Sequence, residues 1–442
     1  MSGATPGQVE ERCVAPNFPL WLARGLVKGG SIKGNHIFVT VESTPTGPRR
    51  RAAIVESGRL VEVFFDVPGR RSLVGNIYKG KVETVLPGMG AAFVNVGEAK
   101  ALFLSQHEIN DELLKAKGFE PWRGPAPIQK VLRPGEAVVI QVRREGVGKK
   151  NPQGTTKISL PGRYWVYLPK EERVAISRRV EGEQARKLRQ LAYELKGSGE
   201  GAIARTAALK APEADLGRDF RYLQSLWKEI EGKAEGASPP KLLHEPLDLV
   251  RTLLRDRFLE DIDSLVVDHE EEYKNILDFL NYLHLHRLRG RVKLYRGTIP
   301  LFVRYDIERQ LREALQRRIP LKTGGFLVVD ETEALTAIDV NTGSDVRHRN
   351  QDAAILNTNL EAAREIPRVL RLRKISGIII VDFVDMAREE DEQKVIEALK
   401  EELRKDRVPT DFIDITELGL VEITRRKEGE SLAVLLETGD EG

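Results

Sequence analysis

Two apolar runs, each carrying an aspartate near its end, constrain this chain more than any other feature. The first begins at Gly325 (GFLVVD), pauses at Glu331–Glu333, and resumes from Ala334 to Gly343 as ALTAIDVNTG, which holds Asp339 and Asn341. The second runs from Gly377 to Met386 as GIIIVDFVDM and holds Asp382 and Asp385. Both are rich in β-branched residues and bounded by glycine, which predicts strands. Between them, Ile355, Ala362, Ile366, Val369 and Leu370 recur at helical spacing within Gln351–Ile375. Strand, helix, strand is a βαβ unit, which calls for parallel strands and a right-handed crossover. Parallel strands bring equivalent residues to the same edge of a sheet, so Asp339 and Asp382 can meet in space.

Aspartate is disfavoured within strands, and burying a carboxylate costs several kcal/mol unless it is compensated. Two that converge repel one another, and one is driven to protonate. A divalent cation removes both difficulties. Mg²⁺ is commonly held by one or two carboxylates together with water and substrate phosphate oxygens. Asn341 lies two residues beyond Asp339 and therefore on the same face of its strand, where its amide can fix the carboxylate. The alternative is that both aspartates are strand-end groups bonded to nearby backbone amides.

The chain has 442 residues, enough for two to four packed units. Charged residues make up 31% yet the net charge is only +3, so affinity for nucleic acid has to come from local patches. One cysteine, Cys13, excludes an internal disulfide and a Cys-rich zinc site and fits a reducing compartment. With no apolar run of membrane-span length and no signal-peptide core, a cytoplasmic protein is expected. Residues 1–36 are punctuated by Gly and Pro and are expected to be mostly disordered.

From Gly75 onward the pattern is one of short strands: Ile77–Val85, Ala91–Val96, Ala101–Leu104, Ala137–Arg143 and Thr156–Leu160, with a long insertion before the fourth. That arrangement suits an OB-type barrel, whose face takes oligonucleotides. Alternation places Phe93 and Phe103 on the less apolar face of their strands, where exposed rings can stack on bases; the alternative is ordinary barrel core. Arg143, Arg144, Lys149 and Lys150 follow at hand for phosphates. Pro161 to about Lys241 reads as a separate α/β segment with an amphipathic helix through Phe220, Leu223, Trp227 and Ile230. From His244 the pattern is again mixed. Asp263 and Asp268 flank an apolar strand there and form a rival acidic pair. Arg287, Arg289, Arg291, Lys293 and Arg296 make a basic run that could guide RNA or simply be solvated. A helix is expected over Tyr305–Arg318. Pro367 within the crossover helix should kink it.

Several long stretches, in order, resemble the ribonuclease E/G family: TEALTAIDVN at Thr332, NTNLEAA at Asn357, LRLR at Leu370, IVDFVDM at Ile380, SRRVEG at Ser177 and NIYKGK at Asn76. The resemblance spans about Ile37 to Lys427. It implies an α/β and α+β multidomain protein with four parts: residues 37–72 plus 244–312 as a ribonuclease-H-like subdomain, 73–160 as an S1 (OB-type) barrel, 161–243 as a 5′-sensor region, and 313–427 as a DNase-I-like catalytic domain. It further implies a Mg²⁺-dependent endoribonuclease of RNA processing and mRNA decay. Such an enzyme cuts single-stranded RNA, including mRNA and rRNA precursors, and leaves 5′-phosphate and 3′-hydroxyl ends. By matching position, Asp339 and Asp382 take the metal-ligand role and Asn341 the supporting role. Phe93, Phe103 and Lys150 take the RNA-holding role, with Lys149 as the neighbouring candidate. Gly162, Val166, Arg205 and Thr206 take the 5′-monophosphate sensor. Pro409 stands where some members have an arginine supporting that sensor. Residues 428–442 contain no cysteine, so no structural zinc is expected, and a monomer or a homodimer without a zinc link follows. Two rivals stand beside this reading: a catalytically silent RNA-binding scaffold, and a metal phosphoesterase acting on DNA or small phosphates.

Overall fold

The computed structural model describes residues 33–45, 47–66, 72–120, 124–146, 150–177, 179–258, 261–343, 351–427 and 431–437. The expectations for residues 1–32, for Lys149, and for the ends of the C-terminal tail fall outside these. The chain forms two compact units. One holds the described residues of Met1–Gly69, Asp261–Lys274 and Gly290–Gly442, the other those of Arg70–Glu260 and Asn275–Arg289. The 244–312 stretch contributes to both units. Its strands Ser264–Val267 and Val292–Leu294 belong to the first unit and its helix Leu249–Asp256 to the second. Among the described residues, no helix is long and apolar enough to cross a membrane.

The first unit contains two sheets. In one, Asn35–Thr44 forms a hairpin with Gly47–Glu56 and pairs in parallel with Ser264–Val267. The other is the sheet of the two apolar runs. Its order is Arg318–Pro320, Phe326–Glu331, Leu335–Asn341, Gly377–Asp382, Val421–Arg425, Thr410–Ile415. Leu335–Asn341 and Gly377–Asp382 are parallel, as the βαβ reading requires, and the remaining neighbours are antiparallel.

One face of this second sheet is apolar because alternate residues Leu327, Val329, Ile338, Val340, Ile379, Val381, Val421 and Ile423 point the same way. The crossover helix Gln351–Arg373 and the helix Glu389–Leu403 cover that face. Ala362, Ala363, Ile366, Val369 and Leu370 supply the crossover helix's half of the core. Its other side is held by charge. Arg371 reaches Glu56 at 3.0 Å and Glu62 at 3.3 Å, and Glu365 takes Arg59 and Arg368. The helix continues through the buried Pro367.

The second unit contains a mixed sheet and a barrel. Ile77–Leu86, Ala91–Asn95, Leu102–Ser105, Gln153–Thr155 and Ala137–Arg144 follow one another, and the last pairs back onto the first. This is a closed five-stranded barrel, consistent with an OB-type fold. The fifth strand is Gln153–Thr155 rather than the expected Thr156–Leu160. Thr156 leaves the ladder because its hydroxyl takes the Asn110 N–H at 2.7 Å and donates to the Glu108 carbonyl at 3.0 Å. Leu160–Pro161 then joins a different sheet, with Trp165–Leu168, Gly201–Ala204 and Val174–Ile176. The helix Glu213–Gly236 packs Phe220, Leu223, Trp227 and Ile230 onto it. In the first unit, the helix expected over Tyr305–Arg318 spans only Ile307–Ala314. Arg318–Pro320 is instead an edge strand, secured where Arg317 grips Asp330 at 2.5 and 2.7 Å.

A buried ion pair secures the far side of the aspartate sheet. Arg425 Nε lies 2.7 Å from Asp406 Oδ2, both side chains are about 95% buried, and Arg425 Nη1 also donates to the Ile375 carbonyl at 2.9 Å. Removing one partner leaves a buried charge alone, which costs roughly 3–5 kcal/mol. Asp406→Ala is therefore expected to lower the melting temperature strongly in a thermal scan, whereas Lys405→Ala, whose ion pair with Glu402 is exposed, should leave it nearly unchanged.

Candidate functional site

The parallel register places Asp339 directly opposite Asp382. Both are exposed, on the sheet face that the helices leave open, and no lysine or arginine among the described residues pairs with either. Asn341 Nδ2 donates to Asp339 Oδ2 at 2.7 Å, which holds the carboxylate's rotamer. Asp330, the other aspartate of the first run, is different: Arg317 occupies it with two hydrogen bonds, and that bonding holds its carboxyl below the usual range. Asp385 is also exposed and lies past the end of its strand. Among the described residues no group of three or more His, Cys, Asp or Glu side chains is arranged to hold a metal ion. The chemistry of the set is that of two adjacent carboxylates with an amide steadying one of them. That fits a Mg²⁺-type ion that keeps most of its water.

The rival pair does not form. Asp263 takes the Asn35 N–H at 2.8 Å at one end of strand Ser264–Val267. Asp268, at the other end, takes the Thr40 hydroxyl at 2.6 Å and the Val41 N–H at 3.1 Å. Both serve as structural caps, and a strand separates them.

On the barrel, Phe93 and Phe103 are opposite one another in the ladder, with ring centroids 5.9 Å apart and edge to face. They are half-buried, while their flanking neighbours Ala92, Val94, Leu102 and Leu104 are fully buried. Lys150 is exposed, and the chain from it leads through Pro152, whose carbonyl takes the Phe103 N–H at 2.8 Å. Arg143 is engaged by Glu108. The basic run is engaged locally as well: Arg287 lies 3.5 Å from Asp215, Arg289 bonds Asn281, and Arg291 donates to the Ile262 carbonyl at 2.8 Å.

In the α/β sheet, Arg205 follows strand Gly201–Ala204, and its Nη1 donates to the Gly162 carbonyl at 2.6 Å and to Asp256 at 2.7 Å. Thr206 is adjacent and shares a 3.0 Å hydrogen bond with Ser177. Val166 is half-buried in the neighbouring strand, opposite Ile203. Burial alone would raise the Asp256 carboxyl, but the Arg255 hydrogen bonds and the charges of Arg205 and Arg255 prevail and hold it low. Sequence reasoning missed Asp256, and also Asp219. Asp219 accepts the N–H groups of Arg163, Tyr164 and Trp165 at 3.1, 2.8 and 3.1 Å, and burial raises its carboxyl. Gly162 is required here for packing: a Cβ would lie 2.6 Å from Asp219 Oδ2 and 2.8 Å from Leu223. Gly162 also lines a cavity of about 600 Å³ with Arg163, Tyr222, Arg255 and Tyr282.

Residues 159–428 match the ribonuclease E/G family. The chain belongs to that family. It is 38% identical to ribonuclease G of Escherichia coli K12 over 398 residues, 90% of this chain and 81% of that protein. It is 38% identical to ribonuclease E of a Nostoc species over 363 residues, 81% of this chain and 52% of that protein. Against ribonuclease E of Escherichia coli K12 the identity is 36% over 384 residues, 86% of this chain and 36% of the relative.

The half-buried position of Phe93 and Phe103 has a measurable consequence. Phe93→Ala and Phe103→Ala are each expected to weaken single-stranded RNA binding by roughly 1–3 kcal/mol. The melting temperature should fall far less than for Leu102→Ala, whose side chain is fully buried. Equal losses of stability would mean that the rings are core.

Proposed function

We propose that this chain is a metal-dependent endoribonuclease of RNA processing and decay, acting on single-stranded RNA in the cytoplasm. The observation that carries the reading is the register match of Asp339 and Asp382 on an open sheet face, within a chain of the ribonuclease E/G family. Asp339 and Asp382 would hold Mg²⁺, with Asn341 fixing the Asp339 carboxylate. Such an ion, when bound, stabilises charge at the scissile phosphate and makes water a better nucleophile. The chain's own groups bind and orient the RNA: Phe93 and Phe103 stack bases, and Lys150 meets the backbone phosphates. Cleavage would leave 5′-phosphate and 3′-hydroxyl ends. We assign the aspartate sheet with its helices to a DNase-I-like domain, the sheet of the N-terminal strands to a ribonuclease-H-like subdomain, and the barrel to an S1 domain.

A 5′-monophosphate is the proposed stimulus, received by Arg205 and Thr206 with Gly162 and Val166 shaping the enclosure. Arg205 offers a planar fork suited to phosphate, and Asp256 and the Gly162 carbonyl orient it. With Pro409 in place of a basic residue, the discrimination rests on Arg205.

The decisive test uses a single-stranded RNA carrying a 5′-monophosphate or a 5′-hydroxyl, with and without Mg²⁺, followed by mapping of the ends. Asp339→Asn and Asp382→Asn are each expected to abolish cleavage while RNA affinity stays within a few-fold, because most binding energy lies in stacking and phosphate contacts. Full binding with no cleavage by the parent protein would favour the silent scaffold. Arg205→Ala should slow the monophosphorylated substrate by roughly tenfold, the worth of one charge-assisted hydrogen bond, and leave the hydroxyl substrate's rate unchanged. Equal rates on both substrates in the parent would remove the sensor from the proposal.

A further inference from the structure

The crossover helix carries one fully buried asparagine on its core stripe. Ile355, Ala362, Ile366, Val369 and Leu370 trace that stripe at helical spacing, and Asn359 fills its gap, four residues after Ile355 and three before Ala362. A polar side chain buried there costs free energy unless both ends of its amide are bonded. Both are, and to a single residue. Asn359 Nδ2 donates to the Val384 carbonyl at 2.8 Å, and Asn359 Oδ1 accepts the Val384 N–H at 3.2 Å.

Val384 is two residues beyond Asp382, where strand Gly377–Asp382 has ended and the ladder no longer directs the chain. The asparagine therefore substitutes for a neighbouring strand, gripping the backbone immediately after the aspartate. Two residues further along the helix, Glu361 accepts the N–H groups of Lys322 and Thr323 at 2.7 and 2.8 Å. That loop leads into Phe326, which pairs with Asn341. Gly325 lies so close that a Cβ there would be 2.6 Å from the Asn341 carbonyl and 2.8 Å from Thr358 Cγ2. The N-terminal half of the helix thus ties down both chain segments bordering Asp339, Asn341 and Asp382.

We propose that Asn359 is a positioning residue for the acidic pair: by holding both backbone groups of Val384 it sets the direction in which Asp382 presents its carboxylate beside Asp339. The inference rests on the metal-dependent reading above. Groups that orient metal ligands from behind typically account for roughly 10–100-fold in metal affinity. A buried asparagine that merely satisfied a strand end would affect stability alone.

The test compares the parent protein with Asn359→Leu, which keeps the side chain's branching and removes both hydrogen bonds, and with Leu370→Ala, a core truncation elsewhere on the same helix. Three quantities are measured: Mn²⁺ affinity by electron paramagnetic resonance without RNA, the Mg²⁺ concentration for half-maximal cleavage, and the melting temperature. Asn359→Leu should weaken Mn²⁺ binding and raise the Mg²⁺ midpoint, each by roughly 10–100-fold, with the cleavage rate largely recovered at high Mg²⁺. Leu370→Ala should lower the melting temperature at least as much and move neither metal value. If Asn359→Leu does not fold, Asn359→Asp makes the same comparison, since it keeps the acceptor and loses the donor. A folded Asn359 variant with parental Mn²⁺ affinity and Mg²⁺ midpoint overturns the proposal. Failure of the metal reading itself looks different: the parent would bind no Mn²⁺ that Asp382→Asn abolishes, and the inference would fall with it.

Discussion

Everything proposed for the first unit depends on one parallel strand pairing. Two carboxylates on adjacent strands repel each other, and the sequence accepts that cost where Asp339 faces Asp382. The pairing survives because the crossover helix fixes it from behind. Its apolar face contributes Ala362, Ala363, Ile366 and Val369 to the sheet's core, so a one-residue slip of either strand would turn Ile338 or Val381 to solvent. On its other side, Arg371 and the Glu365 cluster bind the N-terminal sheet. A helix held on both sides has little freedom to rotate, and the aspartates inherit its rigidity.

The same division between a buried, fixed side and an open, polar side recurs in the barrel. Ala92, Val94, Leu102 and Leu104 close the interior, which leaves Phe93 and Phe103 half-exposed on the outside. Around Arg205 the logic is electrostatic instead. Its guanidinium is neither buried nor free: Asp256 and the Gly162 carbonyl fix its direction, and Arg255 shares the same carboxylate. A cation oriented in this way loses less entropy on meeting an anion than a mobile one would.

Where reading along the chain failed, a side chain bonded to a group far along the sequence was responsible. Thr156 continues a run that looks like strand, yet its bonds to Asn110 and Glu108 lift it out of the barrel, and Gln153–Thr155 pairs instead. Asp219 and Asp256 lie on helices whose apolar spacing draws attention away from them. Their partners, Arg163 to Trp165 and Arg205, are some fifty residues away. Asn359 left a faint trace in the sequence, a polar residue in the one gap of an otherwise apolar helical stripe. Its partner Val384 could not be inferred from that gap.

Local sequence by itself determined the strands, the crossover helix, the faces they bury and therefore the meeting of Asp339 with Asp382. These follow from side-chain periods of two and 3.6 and from the parallel geometry of a βαβ unit, all of which are properties of short segments. It also determined that Phe93 and Phe103 share the outer face of the barrel, again through alternation. Only the tertiary structure decided which acidic groups lack a cationic partner among the described residues. Asp330 is claimed by Arg317, Asp263 and Asp268 are claimed by backbone and hydroxyl donors, and among the described residues no lysine or arginine pairs with Asp339 or Asp382. That selection depends on partners brought together from far along the chain, and the energy of a hydrogen bond or ion pair falls away within a few ångströms, so nothing short of the folded arrangement could make it.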